Sequence, residues 1–269
     1  MIEATDSLLA FLYPMLIATA LATARAIGMV MITPAFTRTG VTGLLRSCIA
    51  VAIAAPMVPP TFDQISLLQG LSTLTVVGLM VKEVVIGALI GFVFGIPFWA
   101  AETAGDIVDL QRGTTAAQLV DPNAMSESSI TGTLFSIVAV AIFFTSGGLG
   151  ILADAVYRSY ELWPASSFRP VVSQASGLAL LKTLDGLMRI AVLLVAPIMV
   201  ALLIADVMLG YLSRLAPQIH VFDLSLAVKN LLFAFLIVVY AMFLAPSLMR
   251  EIGGLAGGFD LLRSLAEGR

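Results

Sequence analysis

The chain alternates between long uncharged apolar runs and short polar connections. The uncharged runs are Ser7–Ala24, Ser47–Phe62, Gln64–Val81, Val84–Ala101, Ser128–Ala153, Ile190–Ala205 and Asn230–Met249. A helix that crosses a membrane needs roughly 20 apolar residues, within a range of about 17–25, and several of these runs are at or below that length. The pattern predicts an all-α membrane protein built from many short helices.

Proline and glycine recur inside these runs. The prolines are Pro14, Pro56, Pro97, Pro197 and Pro246. Each frees a backbone carbonyl and bends or ends a helix. Gly87, Gly91 and Gly95 follow one another at four-residue spacing, which gives a small-residue face for close helix packing. We therefore expect Pro/Gly-broken helices that are wrapped by other helices more than by lipid.

One polar stretch, residues 101–129, stands between apolar runs. Its charged and amide residues include Glu102, Asp106, Asp109, Gln111, Arg112, Asp121 and Glu127. A charge at the centre of a membrane helix costs on the order of 2.5–3.5 kcal/mol. Several of them next to spanning segments indicate contact with water, a lumen or protein, and a functional reason for their presence.

The first half of this stretch has a helical pattern. At about 100° per residue, one arc holds the polar and glycine positions Glu102, Gly105, Asp106, Asp109, Arg112 and Gly113. The apolar residues Ala104, Val108 and Leu110 lie on the other side. One face is expected to pack on protein, while the other faces an aqueous space or closes on itself. Asp109 and Arg112 are three residues apart and can pair.

Turn residues follow the helical part, with Gly113 at its end and Asp121-Pro122 further on. A polar linker of this length between spanning helices more often has a functional role than serves only as a connection. A solvated external loop is the alternative interpretation.

Composition narrows the class of protein. Hydrophobic residues make up 59% and charged residues 12% of the chain, against about 25% charged in a soluble domain, and the mean hydropathy is +1.04. The net charge of −3 argues against nucleic-acid binding. Cys48 and His220 are the only cysteine and histidine, so neither a disulfide framework nor a cofactor is expected. The acidic start does not have the charge pattern of a signal peptide, and the first segment is expected to be retained.

Lysine and arginine predict the orientation. With seven crossings and the N-terminus outside, the outer regions hold only Arg112, Arg214 and Lys229, and the other basic residues lie inside. The alternative to seven crossings is that Ser47–Val81 forms one bent hairpin that does not fully cross. The positive-inside rule therefore favours a periplasmic N-terminus and a cytoplasmic C-terminus. On this interpretation the polar stretch lies on the outer side.

Other candidate chemistry is weak. Asp106 and Asp109 lack the signature of a paired-carboxylate site, and Arg112 is close enough to neutralise one of them. Asp206, at the end of an apolar run, is either a functional intramembrane acid or half of a structural pair with Arg214.

Several motifs, taken in order, resemble one family along nearly the whole chain. Two blocks are specific, GDIVDLQRG at residues 105–113 and RLAPQIHVF at residues 214–222. The supporting landmarks are Arg25, Pro34-Ala-Phe36, Lys82-Glu83, Asp121-Pro122, Ser159-Tyr160, Trp163-Pro164, Asp206 and Lys229. The chain resembles the FliR/SctT family, the R-type (flagellar) or T-type (injectisome) subunit of the type III secretion export apparatus.

The resemblance implies a non-enzymatic core subunit of the export gate in the bacterial inner membrane. Such subunits join P-type and Q-type partners, and other export-apparatus membrane subunits, around a pore for unfolded substrate proteins. It also implies a P-like helical part over residues 1–185, with a plug loop at 102–129, and a Q-like helical hairpin and short tail over 186–269. The Gln111-Arg112-Gly113 and Gly147-Gly148-Leu149 segments favour the injectisome branch, with the flagellar branch as the alternative.

The resemblance also assigns candidate residues. Plug or gating residues would be Gly105, Asp106, Asp109, Gln111, Arg112, Gly113, Asp121 and Pro122, with Gly105 and Gly113 as hinges. Residues for structural or partner packing would be Lys82, Glu83, Gly87, Gly91, Asp206, Arg214, Pro217, Gln218 and Lys229. No catalytic or metal-ligating residue is assigned.

Two other classes of protein remain as alternatives. A small-solute secondary transporter is expected to show internal repeats and matched broken helices, and the contexts of Pro97 and Pro197 do not match. A membrane enzyme would need a nucleophile–base or metal set, for which the sequence offers no pattern.

Overall fold

The computed structural model describes residues 2–40, 42–67, 72–114, 129–168, 174–216, 218 and 221–267, and 91% of these residues are helical. The helices are α1 (Ile2–Ile32), α2 (Pro34–Thr37), α3 (Gly43–Ala54), α4 (Val58–Ser66), α5 (Thr73–Arg112), α6 (Ile130–Thr145), α7 (Gly148–Leu162), α8 (Gln174–Leu215), α9 (Val221–Gly254) and α10 (Gly258–Glu267). The predicted all-α membrane class is confirmed.

The number of possible membrane spans is lower than predicted. Within the described ranges, five segments are long and apolar enough to cross a membrane, or six if α6 and α7 together form one span. Seven separate candidate spans are not found in these ranges, mainly because the runs Gln64–Val81 and Val84–Ala101 do not form separate helices. From Thr73 onward both belong to α5, which continues through Lys82 and Glu83 because these charges are paired inside the protein.

Proline also interrupts the helices less than expected. Pro14, Pro97, Pro197 and Pro246 lie inside α1, α5, α8 and α9, which are 31, 40, 42 and 34 residues long. Only Pro56 coincides with a break, the 3₁₀ turn Ala55–Met57 between α3 and α4. Spanning helices tolerate proline because neighbouring groups satisfy the freed carbonyls. The helices are therefore longer and more continuous than their sequence suggests.

The described chain forms two compact units. The first consists of residues 1–96, 147–183 and 254–269, and the second of residues 97–146 and 184–253. The predicted division into 1–185 and 186–269 stays a prediction. In the first unit α1 packs on α3 and α4, and Leu21, Ile65 and Leu79 are buried in one cluster between α1, α4 and α5.

Close contact between α1 and α5 depends on glycines. A Cβ atom at Gly87 would collide with the carbonyl oxygen of Arg25, and one at Gly91 would lie 2.6 Å from the carbonyl oxygen of Met29. Gly28, on α1, meets the carbonyl oxygen of Val84 in the same way. The two backbones can approach this closely only without side chains, so the small-residue face predicted on α5 is used for packing inside the chain.

The C-terminal helix α10 completes the first unit by packing against α7. Phe259 and Leu262 are buried, and the guanidinium carbon of Arg158 lies 3.8 Å from the centre of the Phe259 ring. The aliphatic and aromatic face of α10 is thus held by apolar burial and a cation–π contact.

The second unit is built from the end of α5, α6, and the long helices α8 and α9. Phe98 and Phe143 meet edge to face at 5.4 Å, and the Tyr240 hydroxyl donates to the Leu194 carbonyl at 3.0 Å. Large apolar side chains on α8 and α9 stay uncovered, among them Leu203 at 57% and Met242 at 79% exposure. These faces are left for lipid or for other proteins.

We expect Gly87→Ala to destabilise the protein by about 1–3 kcal/mol, the usual cost of overpacking a tight contact. The added methyl group has to displace the Arg25 backbone. The midpoint of thermal unfolding in detergent measures this change. Gly210→Ala is the matched control, because this helical glycine has no atom within 4 Å of an added Cβ. A Gly87→Ala variant as stable as the control would contradict the packing role.

Candidate functional site

Asp109 lies at the end of α5 and caps the start of α6. Its carboxylate accepts hydrogen bonds from the Ser129 hydroxyl at 2.7 Å, the Thr131 backbone N–H at 3.0 Å and the Thr131 hydroxyl at 2.6 Å. Ser129 is itself the N-cap of α6, and its oxygen accepts from the Gly132 N–H at 2.8 Å. A carboxylate at a helix N-terminus is favoured because it meets free N–H groups and the positive end of the dipole.

The predicted pair between Asp109 and Arg112 is present. An Arg112 guanidinium nitrogen lies 3.0 Å from Asp109 Oδ1, and both side chains are nearly buried. The guanidinium carbon also lies 4.0 Å from the centre of the Phe233 ring on α9. Arg112 therefore neutralises the carboxylate and links α5 to α9 through a cation–π contact.

Gln111 and Lys229 tie the same turn of α5 to α8 and α9. The Gln111 side-chain amide donates to Asp206 Oδ2 at 3.1 Å. The Lys229 ammonium lies 2.8 Å from Asp206 Oδ1 and donates to the Gln111 carbonyl at 3.0 Å. That carbonyl belongs to the last turn of α5, where it lacks a partner within the helix. We call Asp109, Gln111, Arg112, Asp206 and Lys229 the acid–base cluster.

Two glycines bring α5 and α6 together beside the cluster. A Cβ atom at Gly105 would collide with the backbone of Gly132, and one at Gly132 would collide with the carboxylate of Asp106. Gly105 lies within the continuous helix α5, so here it serves close packing. Its predicted role as a hinge stays a prediction.

Gly113 is where the chain leaves α5. Its φ of +79° is in the left-handed region that favours glycine. The Gly113 N–H donates to the Leu110 carbonyl at 3.1 Å, and the Thr114 hydroxyl donates to the Asp109 carbonyl at 3.1 Å. This is the usual position and conformation of a glycine that ends a helix.

A second set of buried charges lies in the first unit. Arg25 Nε is 2.5 Å from Glu83 Oε2, and both side chains are fully buried. The Arg25 guanidinium also donates to the Ser159 hydroxyl and to the Trp163 carbonyl, each at 2.8 Å. Its carbon atom lies 3.6 Å from the centre of the Tyr160 ring. One arginine on α1 thus joins α5 and the end of α7.

Lys82 completes this set. Its ammonium lies 2.9 Å from Glu83 Oε1 and donates to the carbonyls of Pro164 and Ser167 at 2.7 and 3.0 Å. We call Arg25, Lys82 and Glu83 the buried ion triad. It holds two cations and one carboxylate, and the carbonyls that follow the C-terminus of α7 offset the remaining positive charge.

The structure places the other predicted residues as follows. Asp206 pairs with Lys229, so the alternative pair with Arg214 is wrong. Arg214 is exposed on the last turn of α8, and Gln218 is exposed in a turn. Asp106 is half-buried against Gly132. Asp121, Pro122 and Pro217 lie outside the described residues.

Some contact residues were not predicted as site residues. In the sequence Arg25 is only a landmark of the resemblance, although it is the only charge between Ser7 and Thr37. Ser129 and Thr131 precede an apolar run, which is a helix-start signal. Nothing in the sequence indicates Phe233, because its role depends on where Arg112 lies in space.

The chemistry of both sets is neutralisation of charge within apolar helices. Among the described residues no group of three or more His, Cys, Asp or Glu side chains is arranged to hold a metal ion. Every acid in the cluster and the triad has a cation or hydrogen-bond donor at contact distance. Such an arrangement fixes helices and the ends of connections relative to one another.

These observations define a multi-pass, all-helical membrane protein in which buried ion pairs lock the helices. A family model described as bacterial export proteins, family 1, matches residues 16–255. The chain belongs to this family, the FliR/SctT family of the type III secretion export apparatus.

Individual relatives agree with this assignment. Yop proteins translocation protein T of Yersinia pestis is 37% identical over 199 residues, which cover 74% of this chain and 76% of that protein. Surface presentation of antigens protein SpaR of Shigella sonnei is 36% identical over 59% of this chain and 60% of its own length. Flagellar biosynthetic protein FliR of Escherichia coli is 31% identical over 54% of each chain.

We expect Asp109→Asn to destabilise the protein by about 3–5 kcal/mol, because it leaves the buried Arg112 without its counter-ion. The free energy of unfolding in detergent is the measurement. Asp154→Asn is the matched control. Asp154 and Arg158 form an exposed pair 3.8 Å apart, and exposed pairs contribute about 0–1 kcal/mol. Equal effects of the two substitutions would contradict the role of Asp109 as a buried anchor.

Proposed function

We propose that this chain is a non-enzymatic core subunit of a type III secretion export gate, where it helps form and close the pore through which unfolded proteins pass. Family membership supports the export role. The observation that carries the closing role is the acid–base cluster. It fixes the last turn of α5 to α6, α8 and α9 immediately before the polar stretch that continues beyond Gly113.

The plug is proposed to be the polar segment after Gly113, with Asp121 and Pro122 in it and the acid–base cluster as its base. A polar segment suits a water-filled lumen, because it is displaced by a passing chain without exposing apolar surface. Its base has to resist the pull of that chain. Asp109, Arg112 and Gln111 are bonded to three other helices and supply such a fixed point.

The partners are proposed to be P-type and Q-type subunits. The α8–α9 pair, joined by the Tyr240–Leu194 hydrogen bond, supports a Q-like hairpin in residues 186–269, with residues 1–185 as the P-like part. Only 28% of the most apolar window of α8 and 17% of that of α9 is buried within the chain. This uncovered apolar surface is what a subunit of a larger membrane complex presents to its neighbours.

The injectisome branch is favoured over the flagellar branch. Yop proteins translocation protein T and SpaR of Shigella sonnei have higher identity over a longer part of the chain than FliR of Escherichia coli. The chain is accordingly proposed to act in a virulence-type secretion system of the bacterial inner membrane.

Co-expression with the P-type and Q-type subunits of the same system tests the assembly. We expect a defined hetero-oligomer in native mass spectrometry after purification in detergent. Co-expression with flagellar P-type and Q-type subunits is the matched control, and a weaker or absent complex is expected there. A stable species of this chain alone, formed in the presence of its proposed partners, would contradict the gate and favour a solute transporter.

Replacing residues 115–128 with a Gly-Ser segment of equal length tests the plug. The replacement keeps Gly105–Thr114 and Ser129, so the acid–base cluster and its hydrogen bond to Ser129 are preserved. Deletion of the whole polar stretch, residues 101–129, would remove them. We expect an assembled complex that conducts small ions, measured as conductance in planar bilayers. The same replacement of residues 68–71 is the control and is expected to leave the pore tight. Unchanged conductance in the 115–128 variant would exclude the plug.

The orientation is proposed to be N-terminus periplasmic and C-terminus cytoplasmic. We propose that α6 and α7 do not cross, so that the five remaining spans place the two ends on opposite sides, and the positive-inside bias supports this direction. The polar stretch after α5 then lies on the cytoplasmic side, in place of the outer side expected from seven crossings.

Single cysteines introduced in a Cys48→Ala background test the orientation. We expect a membrane-impermeant maleimide added to intact spheroplasts to label Ser72→Cys, between α4 and α5. It should spare Thr39→Cys, after α1, and Ser264→Cys, in the tail. The reverse pattern would overturn the proposal.

A further inference from the structure

A cavity of about 290 Å³ lies in the first unit between the end of α1 and the start of α3. Its walls are apolar on the α1 side, and one guanidinium group enters its lining from α3. The lining residues are Ile27, Val30, Met31, Gly43, Arg46, Ser47 and Ala50. An apolar pocket with a few polar groups at one edge is the common form of a small-molecule site.

The position of this cavity matches the depth of a lipid headgroup. The candidate span of α1 ends at Ile32, and the next candidate span begins at Gly43. The cavity therefore lies where both helices reach the end of their apolar segments. Met31 and Leu44 beside it are 62% and 77% exposed, which provides an apolar surface for acyl chains.

The charge around the cavity selects an anion. Arg46, on α3, is the basic residue of its lining. Residues 7–62 contain no acidic residue. The guanidinium carries several N–H donors in a planar fork that matches phosphate oxygens.

We propose that this cavity binds one anionic phospholipid, with its phosphate on Arg46 and an acyl chain along Ile27, Val30 and Met31. Basic pockets between membrane helices hold anionic headgroups in this way. The volume is at the lower limit for a ligand pocket, so the headgroup and the first part of one chain fill it. The site is separate from the acid–base cluster, and it does not depend on the pore role or on the orientation of the chain.

Native mass spectrometry of the full-length protein, titrated with phosphatidylglycerol, tests the site. Arg46→Gln keeps a polar, hydrogen-bonding side chain, although a shorter one, and removes the charge. We expect it to weaken phosphatidylglycerol binding at least about five-fold, the effect of one basic residue at a membrane surface. Arg38→Gln, the matched control before α3 and outside the lining, is expected to bind close to wild type.

A second variant separates a built site from attraction by surface charge. Gly43 lines the cavity, and an added Cβ there meets no atom within 4 Å, so Gly43→Phe introduces an aromatic ring at the lining without a clash at the Cβ atom and keeps both arginines. We expect it to lose phosphatidylglycerol as well. Equal loss in Arg38→Gln and Arg46→Gln, unchanged binding in Gly43→Phe, or equal binding of zwitterionic phosphatidylethanolamine would each overturn the proposal.

The native Cys48 allows a test without altering the lining. It is the only cysteine and is exposed on α3, next to Ser47. A fluorophore on Cys48 is expected to be quenched more strongly by brominated phosphatidylglycerol than by brominated phosphatidylcholine, both in the isolated chain and in the assembled complex. Equal quenching by the two lipids, or loss of the difference on assembly because a protein segment occupies the cavity, would also overturn the proposal.

Discussion

Neutralisation of charge inside apolar helices is the constraint on which the rest of this structure depends. Arg25 and Glu83 are fully buried in helices that are otherwise apolar enough to cross a membrane. An unpaired charge there would cost more than most single contacts contribute. Each charge of the triad is therefore satisfied, by the others or by the carbonyls at the end of α7. The requirement fixes three elements of the first unit to one another and allows α5 to continue through Lys82 and Glu83.

The second unit uses the same device for a different purpose. There the charges gather at the end of a helix, where α5 leaves carbonyls unpaired and α6 leaves N–H groups unpaired. Asp109 serves the start of α6, and Lys229 serves the last turn of α5. One N–H group at the start of α6 and one carbonyl at the end of α5 thereby gain partners within the protein. A connection that begins from such a fixed end has a defined origin, which is what a movable closing segment in a pore requires.

Glycine sets the distances at which these ion pairs form. Gly87 on α5 and Gly105 further along it both meet backbone atoms of another helix. A side chain at either position would push the helices apart and lengthen the charge contacts beside it. Close approach and neutralisation thus depend on each other, since neither the packing nor the hydrogen bonds survive a shift of one ångström.

The sequence alone determined the all-α membrane class, the pair of Asp109 with Arg112, and the resemblance to an export family that the comparisons confirm. These rest on composition and on spacing within one helix turn, where geometry leaves one partner within reach. Only the tertiary structure decided that Asp206 pairs with Lys229 and that Arg25 meets Glu83, 58 residues away. It also decided that α1, α5, α8 and α9 continue through their prolines. The reason is physical. In an apolar interior any nearby cation can neutralise a carboxylate, so the packing of the helices selects which cation it is. Whether a proline breaks the helix that contains it depends on the neighbouring helices, which can satisfy the freed carbonyl.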